Sequence, residues 1–96
     1  MAHKRQYWVY IMTNRWHTVL YVGVTNNITR RTSEHKSGNG GMFTRKYNAD
    51  RLVYVETIGS ILSAIEREKQ LKAGSREKKL ALINAVNPEW RDLSED

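Results

Sequence analysis

Apolar and polar positions fall into blocks with different periods. Residues 7–13 and 18–24 are dominated by aromatic and β-branched side chains, separated by a polar interruption at Asn14-Arg15-Trp16-His17. That pattern predicts two strands joined by a turn of four or five residues. Thr25-Asn26-Asn27 then offers capping side chains for a helix over 28–37, which the glycine-rich stretch 38–41 ends. Residues 42–50 have no clear period and read as a loop or a short irregular helix. A third strand is predicted at 51–57. Gly59-Ser60 introduces a second helix over 61–73, closed by Gly74, and Ser75 caps a third over 76–86 that Asn87-Pro88 stops. The order is ββαβαα, which is an α+β chain, with no repeat, linker or low-complexity tract.

Two helices break the expected polarity of an inner face. At 100° per residue, Glu68 falls within the stripe of Ile61, Ala64, Ile65 and Leu71, whereas Glu66 falls opposite it. A carboxylate aimed at a core must be paired, protonated or bound to a cation, because burying it alone costs several kcal/mol. An ion pair with Lys72 at i+4 is one solution. A metal ligand or a catalytic carboxylate in a cleft is the other. In the first helix the positions that follow Ile28 on its inner face are Arg31, Thr32 and His35. Arg31 and His35 sit one turn apart and suit an anionic group held beside a titratable imidazole, although a solvated helix face has the same pattern. The hairpin adds Tyr10 and Tyr21, whose rings can pack while their hydroxyls reach water. Together these are the parts a metal-assisted phosphodiester hydrolase needs.

Composition narrows the setting. A chain of 96 residues has enough surface to bury for one core, so a single domain over 1–96 is expected. The absence of cysteine removes disulfides, thiolate nucleophiles and sulfur-ligated zinc. No apolar run has membrane-spanning length and no long apolar segment follows the basic N-terminus, so a soluble cytoplasmic protein is expected. The formal charge is +6 and is unevenly placed. Residues 1–48 hold eight Lys or Arg against Glu34 alone, whereas residues 49–96 hold eight against nine acids. Such a field attracts polyanions, nucleic acid first. Arg30, Lys36, Arg45 and Lys46 are the candidate phosphate contacts. Trp8, Trp16 and Trp90 could form an aromatic contact surface, but core and hairpin packing is the simpler expectation.

The chain resembles the GIY-YIG nucleases. Trp8-Val9-Tyr10 matches their first motif, with Trp and Val standing where the family has glycine and isoleucine, and Tyr21-Val22-Gly23 matches their second. Arg31 and His35 stand at the positions of the family arginine and histidine, and Glu68-Lys69-Gln70-Leu71-Lys72 resembles the segment with the metal-binding glutamate. The match runs over about residues 7–93 and is nearest to the stand-alone single-domain bacterial branch. Asn84 and Asn87 both lie where the family's late asparagine is expected.

The resemblance implies a three-stranded antiparallel sheet flanked by helices, and one divalent ion on Glu68. Mg²⁺ or Mn²⁺ suits a single carboxylate completed by water and phosphate oxygens. It also implies a mechanism in which Tyr10, or a water bonded to it, starts an in-line attack. His35 and Tyr21 complete the proton network, Arg31 stabilises the developing charge, and the metal stabilises the leaving oxygen. The expected substrate is nucleic acid, DNA before RNA, in repair or recombination, with a homodimer or a protein partner supplying targeting. The competing expectation is a non-catalytic nucleic-acid-binding module on the same fold.

Overall fold

Strand β1 (Tyr7–Thr13) is the central strand, and its composition explains why: from Val9 to Thr13 every side chain is apolar or can bond locally, and all five are buried. The computed structural model describes residues 5–95. In it β1 pairs antiparallel with both β2 (Leu20–Thr25) and β3 (Arg51–Ile58), giving the strand order β2-β1-β3. Helices α1 (Ile28–Lys36), α2 (Met42–Tyr47), α3 (Ile61–Ala73) and α4 (Arg76–Val86) surround this sheet, and a 3-10 turn spans Leu93–Glu95. The fold is α+β, a three-stranded antiparallel sheet with helices.

Side-chain alternation along β1 divides the interior in two. Val9 and Ile11 meet Val22, Val53, Ala64, Leu71 and Ile83 beneath α3 and α4. Each fully buried aliphatic contributes roughly 1.5–3 kcal/mol. Tyr10 and Met12 point to the other face, against Ala49 and Leu52, with Tyr21, Ile28 and Leu93 at the margin. The polar inner stripe of α1 covers this second face.

The caps follow the sequence. Asn27 accepts from the Arg30 amide, Ser60 from Ser63 and Ser75 from Lys78, each satisfying one of the free N–H groups of a first turn. Two expectations change and one open alternative is resolved. β2 begins at Leu20 instead of Thr18, because Asn14 bonds both the Thr18 amide and its hydroxyl and draws that residue into the turn. Residues 42–47 form a six-residue helix, entered through Gly41 at φ +113° and left through Asn48 in the left-handed region. The predicted apolar stripe of α3 is buried only at Ala64 and Leu71, while Ile61 and Ile65 are exposed.

Two ion pairs hold the helices that frame the cleft. Arg67 on α3 grips both carboxylate oxygens of Glu56 on β3, whose other contact is the Tyr54 hydroxyl. Lys36 at the end of α1 pairs with Asp92, and Asp92 also accepts from the Leu52 amide at 3.2 Å. Among the described residues no helix is long and apolar enough to cross a membrane.

Candidate active site

Gly23 on the edge strand β2 stands directly opposite Tyr10 in the β-ladder. A Cβ at position 23 would overlap the Tyr10 phenol, so glycine alone lets the ring lie across β2 and carry its hydroxyl to the sheet edge. A cleft of about 560 Å³ opens there between α1 and α3, with Tyr10, Tyr21, Arg31, Glu34 and Glu68 in its walls.

The Tyr10 oxygen is the centre of the arrangement. Arg31 donates to it from Nε at 3.3 Å, and His35 Nε2 lies 3.1 Å away. Arg31 is fixed by two further contacts, to Glu34 at 3.1 Å and to the Gly40 carbonyl at 3.0 Å, which set the plane of the guanidinium. A guanidinium can only donate, so the phenol has its own hydrogen to place, and the imidazole Nε2 beside it is the acceptor. In that arrangement the imidazole proton is on Nδ1, a buried atom without a hydrogen-bond partner among the described residues. A Cβ at Gly40 would come within 2.6 Å of that atom, so this glycine makes room for the ring.

Burial and the nearby Arg31 charge lower the His35 pKa to about 4, so the imidazole is neutral at physiological pH. Burial also pushes the Tyr10 phenol above its ordinary value, against the opposing hydrogen bond from Arg31. The resting pair is therefore a neutral phenol and a neutral imidazole. Tyr21 meets both rings, with centroids 6.3 Å from Tyr10 and 5.3 Å from His35.

Glu68 faces the same cleft from α3, and its negative charge is felt at the Tyr10 hydroxyl. Its carboxylate also lies 3.4 Å from Lys72, whose side chain is 54% exposed. The ion pair with Lys72 is therefore formed, and it is open to solvent, while Glu68 also lines the cleft. Among the described residues no three His, Cys, Asp or Glu converge on one point. Of the two cleft carboxylates Glu34 is bonded to Arg31, so Glu68 is the one that could hold an ion, and one carboxylate completed by waters fits Mg²⁺ or Mn²⁺ and not a closed zinc cage.

The sequence family described as the GIY-YIG catalytic domain matches residues 6–81. The chain belongs to the GIY-YIG family. Similar proteins include members of the UPF0213 group. One from Natronomonas pharaonis is 38% identical over 77 residues, covering 80% of this chain and 89% of the relative. One from Syntrophus aciditrophicus is 42% identical over 71 residues, covering 73% and 80%. The solution NMR structure of a UPF0213 protein from Bacillus halodurans superposes with a TM-score of 0.58 at 30% identity, covering 91% of this chain and 92% of that one.

The remaining sequence candidates of this GIY-YIG chain lie at varying distances from the cleft. Arg30 is exposed at its rim, its guanidinium 3.4 Å from Asn26. Lys36 pairs with Asp92 and donates to the Asp50 carbonyl. Arg45 and Lys46 are exposed on α2. Asn87 is buried away from the cleft, where its side chain donates to the Val53 and Arg91 carbonyls and accepts from the Arg91 amide. Asn84 accepts from the Trp90 indole at the surface. Trp90 stacks on His17, but Trp16 is 70% exposed beneath Arg15, contrary to the expectation of hairpin packing. Lys4, counted in the basic half, lies outside the described residues. Sequence reasoning missed Glu34 and Gly40 as the groups that orient Arg31. The i, i+3 spacing of Arg31 and Glu34 was an available signal.

Proposed function

We propose that this chain is a divalent-metal-dependent endonuclease that hydrolyses phosphodiester bonds in nucleic acid, DNA in preference to RNA, in repair or recombination. The observation that carries the reading is the Tyr10 oxygen held between Arg31 Nε and His35 Nε2 on a cleft that Glu68 also faces. An attacking water gives its proton to the Tyr10 oxygen, while the phenol passes its own proton to His35 Nε2. One O–H bond breaks and one forms at Tyr10, and the imidazole becomes an imidazolium. In the free protein the Arg31 charge opposes that last step. A phosphate drawn against Arg31 offsets this charge, so His35 becomes a better base as substrate arrives. Arg31 then remains beside the pentacoordinate oxygens, where a positioned donor is typically worth about 10²–10³ in rate. Glu68 would hold the divalent ion, which supplies Lewis-acid stabilisation to the leaving oxygen.

The test is cleavage of a panel of single-stranded, duplex and branched DNA and RNA, with Mg²⁺, with Mn²⁺ and with a chelator. Metal-dependent internal cleavage supports the reading. Metal-independent binding with no cleavage of any substrate would replace it with a non-catalytic binding module.

A further inference from the structure

Helix α2 leaves three large apolar side chains exposed. Of its six residues only Thr44 is buried, while Met42 is 83%, Phe43 40% and Tyr47 39% exposed. Phe43 and Tyr47 extend a row of rings that begins at the candidate active site. Tyr21 contacts Tyr10 and His35, Phe43 contacts Tyr21 with centroids 5.7 Å apart, and Tyr47 contacts Phe43 at 4.8 Å. Cations accompany the row. Lys46 Nζ sits 5.4 Å from the Tyr47 ring centre, and Arg45 helps line the same shallow groove of about 470 Å³.

Partly exposed rings beside exposed cations suit one kind of polyanion better than another. In a duplex the base faces are covered by their neighbours, and a surface contact with it is made through phosphates. Unpaired bases offer free π-faces, and proteins that bind single strands combine aromatic stacking with a basic track. The acid-poor first half of the chain supplies that track here, since Arg45 and Lys46 are both free of ion pairs with any described carboxylate among the salt bridges of this fold.

We propose that Phe43 and Tyr47 form a stacking platform for unpaired bases next to the scissile phosphate, with Arg45 and Lys46 on its backbone, so that the substrate is a single strand or a single-stranded segment. This deepens the nuclease reading and rests on it for the position of the scissile phosphate. Because stacking reads the base and not the sugar, the platform itself does not separate DNA from RNA. Any preference between them arises elsewhere in the cleft.

The test is fluorescence anisotropy of the full chain in chelator, so that no turnover occurs. Labelled thymidine and uridine strands of about 12 nucleotides are compared with a hairpin duplex of similar length. Phe43→Leu keeps apolar volume against Tyr21, Tyr47→Leu keeps it against Phe43, and each removes a π-face. Each is expected to weaken both single strands roughly 5- to 100-fold while leaving duplex binding and the salt slope unchanged. Phe43→Trp is expected to restore the affinity. Equal losses on strand and duplex, or no loss, would overturn the platform. So would a change in sedimentation without a change in strand binding, which would mark the patch as a contact between copies. The two readings fail separately. Strand-selective, ring-dependent binding without Mg²⁺-dependent cleavage removes the nuclease and keeps the platform, whereas cleavage with ring-independent binding does the reverse.

Discussion

Gly23 and Tyr10 face one another across β2 and β1 so closely that the phenol occupies the space where a side chain at position 23 would begin. In an ordinary strand, Gly→Ala gains roughly 0.5–1 kcal/mol from reduced backbone freedom. Gly23→Ala is expected to do the opposite, costing about 1–3 kcal/mol through overpacking. It should also displace the Tyr10 oxygen from Arg31 and His35, so that cleavage falls more than affinity. Denaturant unfolding beside single-turnover cleavage checks both halves.

His35 makes stability depend on pH with a definite sign. Its pKa is about 4 in the folded chain, against about 6.5 when unfolded. Above pH 6.5 neither state takes up the proton and stability is full. As pH falls from 6.5 towards 4 only the unfolded chain is protonated, so stability declines by up to about 3 kcal/mol and then levels off. The carboxylates whose pKa values are lowered, Glu56 and Asp92, begin to add their own loss only as pH approaches their ordinary values of 4.5 and 3.8, at the bottom of this window. Urea midpoints from pH 7 to 4.5 should therefore slope downward in the wild type and be nearly flat in His35→Gln.

The cations divide into engaged and free. Lys36→Gln removes a charge already neutralised by Asp92, so the salt slope of nucleic-acid binding should not change. Removing Arg45 and Lys46 together should reduce the slope of log affinity against log salt by about 1–2, because each phosphate contact contributes roughly 0.7–0.9. Anisotropy titrations between 50 and 200 mM salt, read as slopes, separate the two variants.

Glu68 should respond to substitution as a functional group, not as a structural one. Its partner Lys72 is more than half exposed and stays hydrated when left alone, so Glu68→Gln should shift stability by less than about 1 kcal/mol. Metal-dependent cleavage should disappear, together with any rise in melting temperature that Mg²⁺ or Mn²⁺ gives the wild type. Thermal melts with and without each ion measure this independently of turnover.

Much of this arrangement was legible in residue order. The polar inner stripe of α1 and the inward Glu68 are departures from amphipathic patterning, and Arg31 of that stripe and Glu68 both line the cleft that receives Tyr10. The three caps were equally plain, since Asn27, Ser60 and Ser75 act through neighbours three residues on. What depended on tertiary contact was not legible. Asp92 neutralises Lys36 from 56 positions away, and the clearance at Gly23 and Gly40 is a property of the rings beside them. Helix α2 was indistinct because a segment that buries only Thr44 has no periodic apolar face to display. Its exposed rings gain meaning only once the fold brings Phe43 against Tyr21.

Tyr10→Phe tests the central claim most directly, because it removes one oxygen and leaves the ring in place above Gly23. The measurement is the single-turnover rate at saturating Mg²⁺ on whichever strand of the panel the wild type cuts, with the melting temperature recorded alongside. If the Tyr10 oxygen relays the proton between water and His35, the rate falls by about 10²–10⁴ while the fold is retained. A folded Tyr10→Phe protein that cleaves at the wild-type rate would contradict the account.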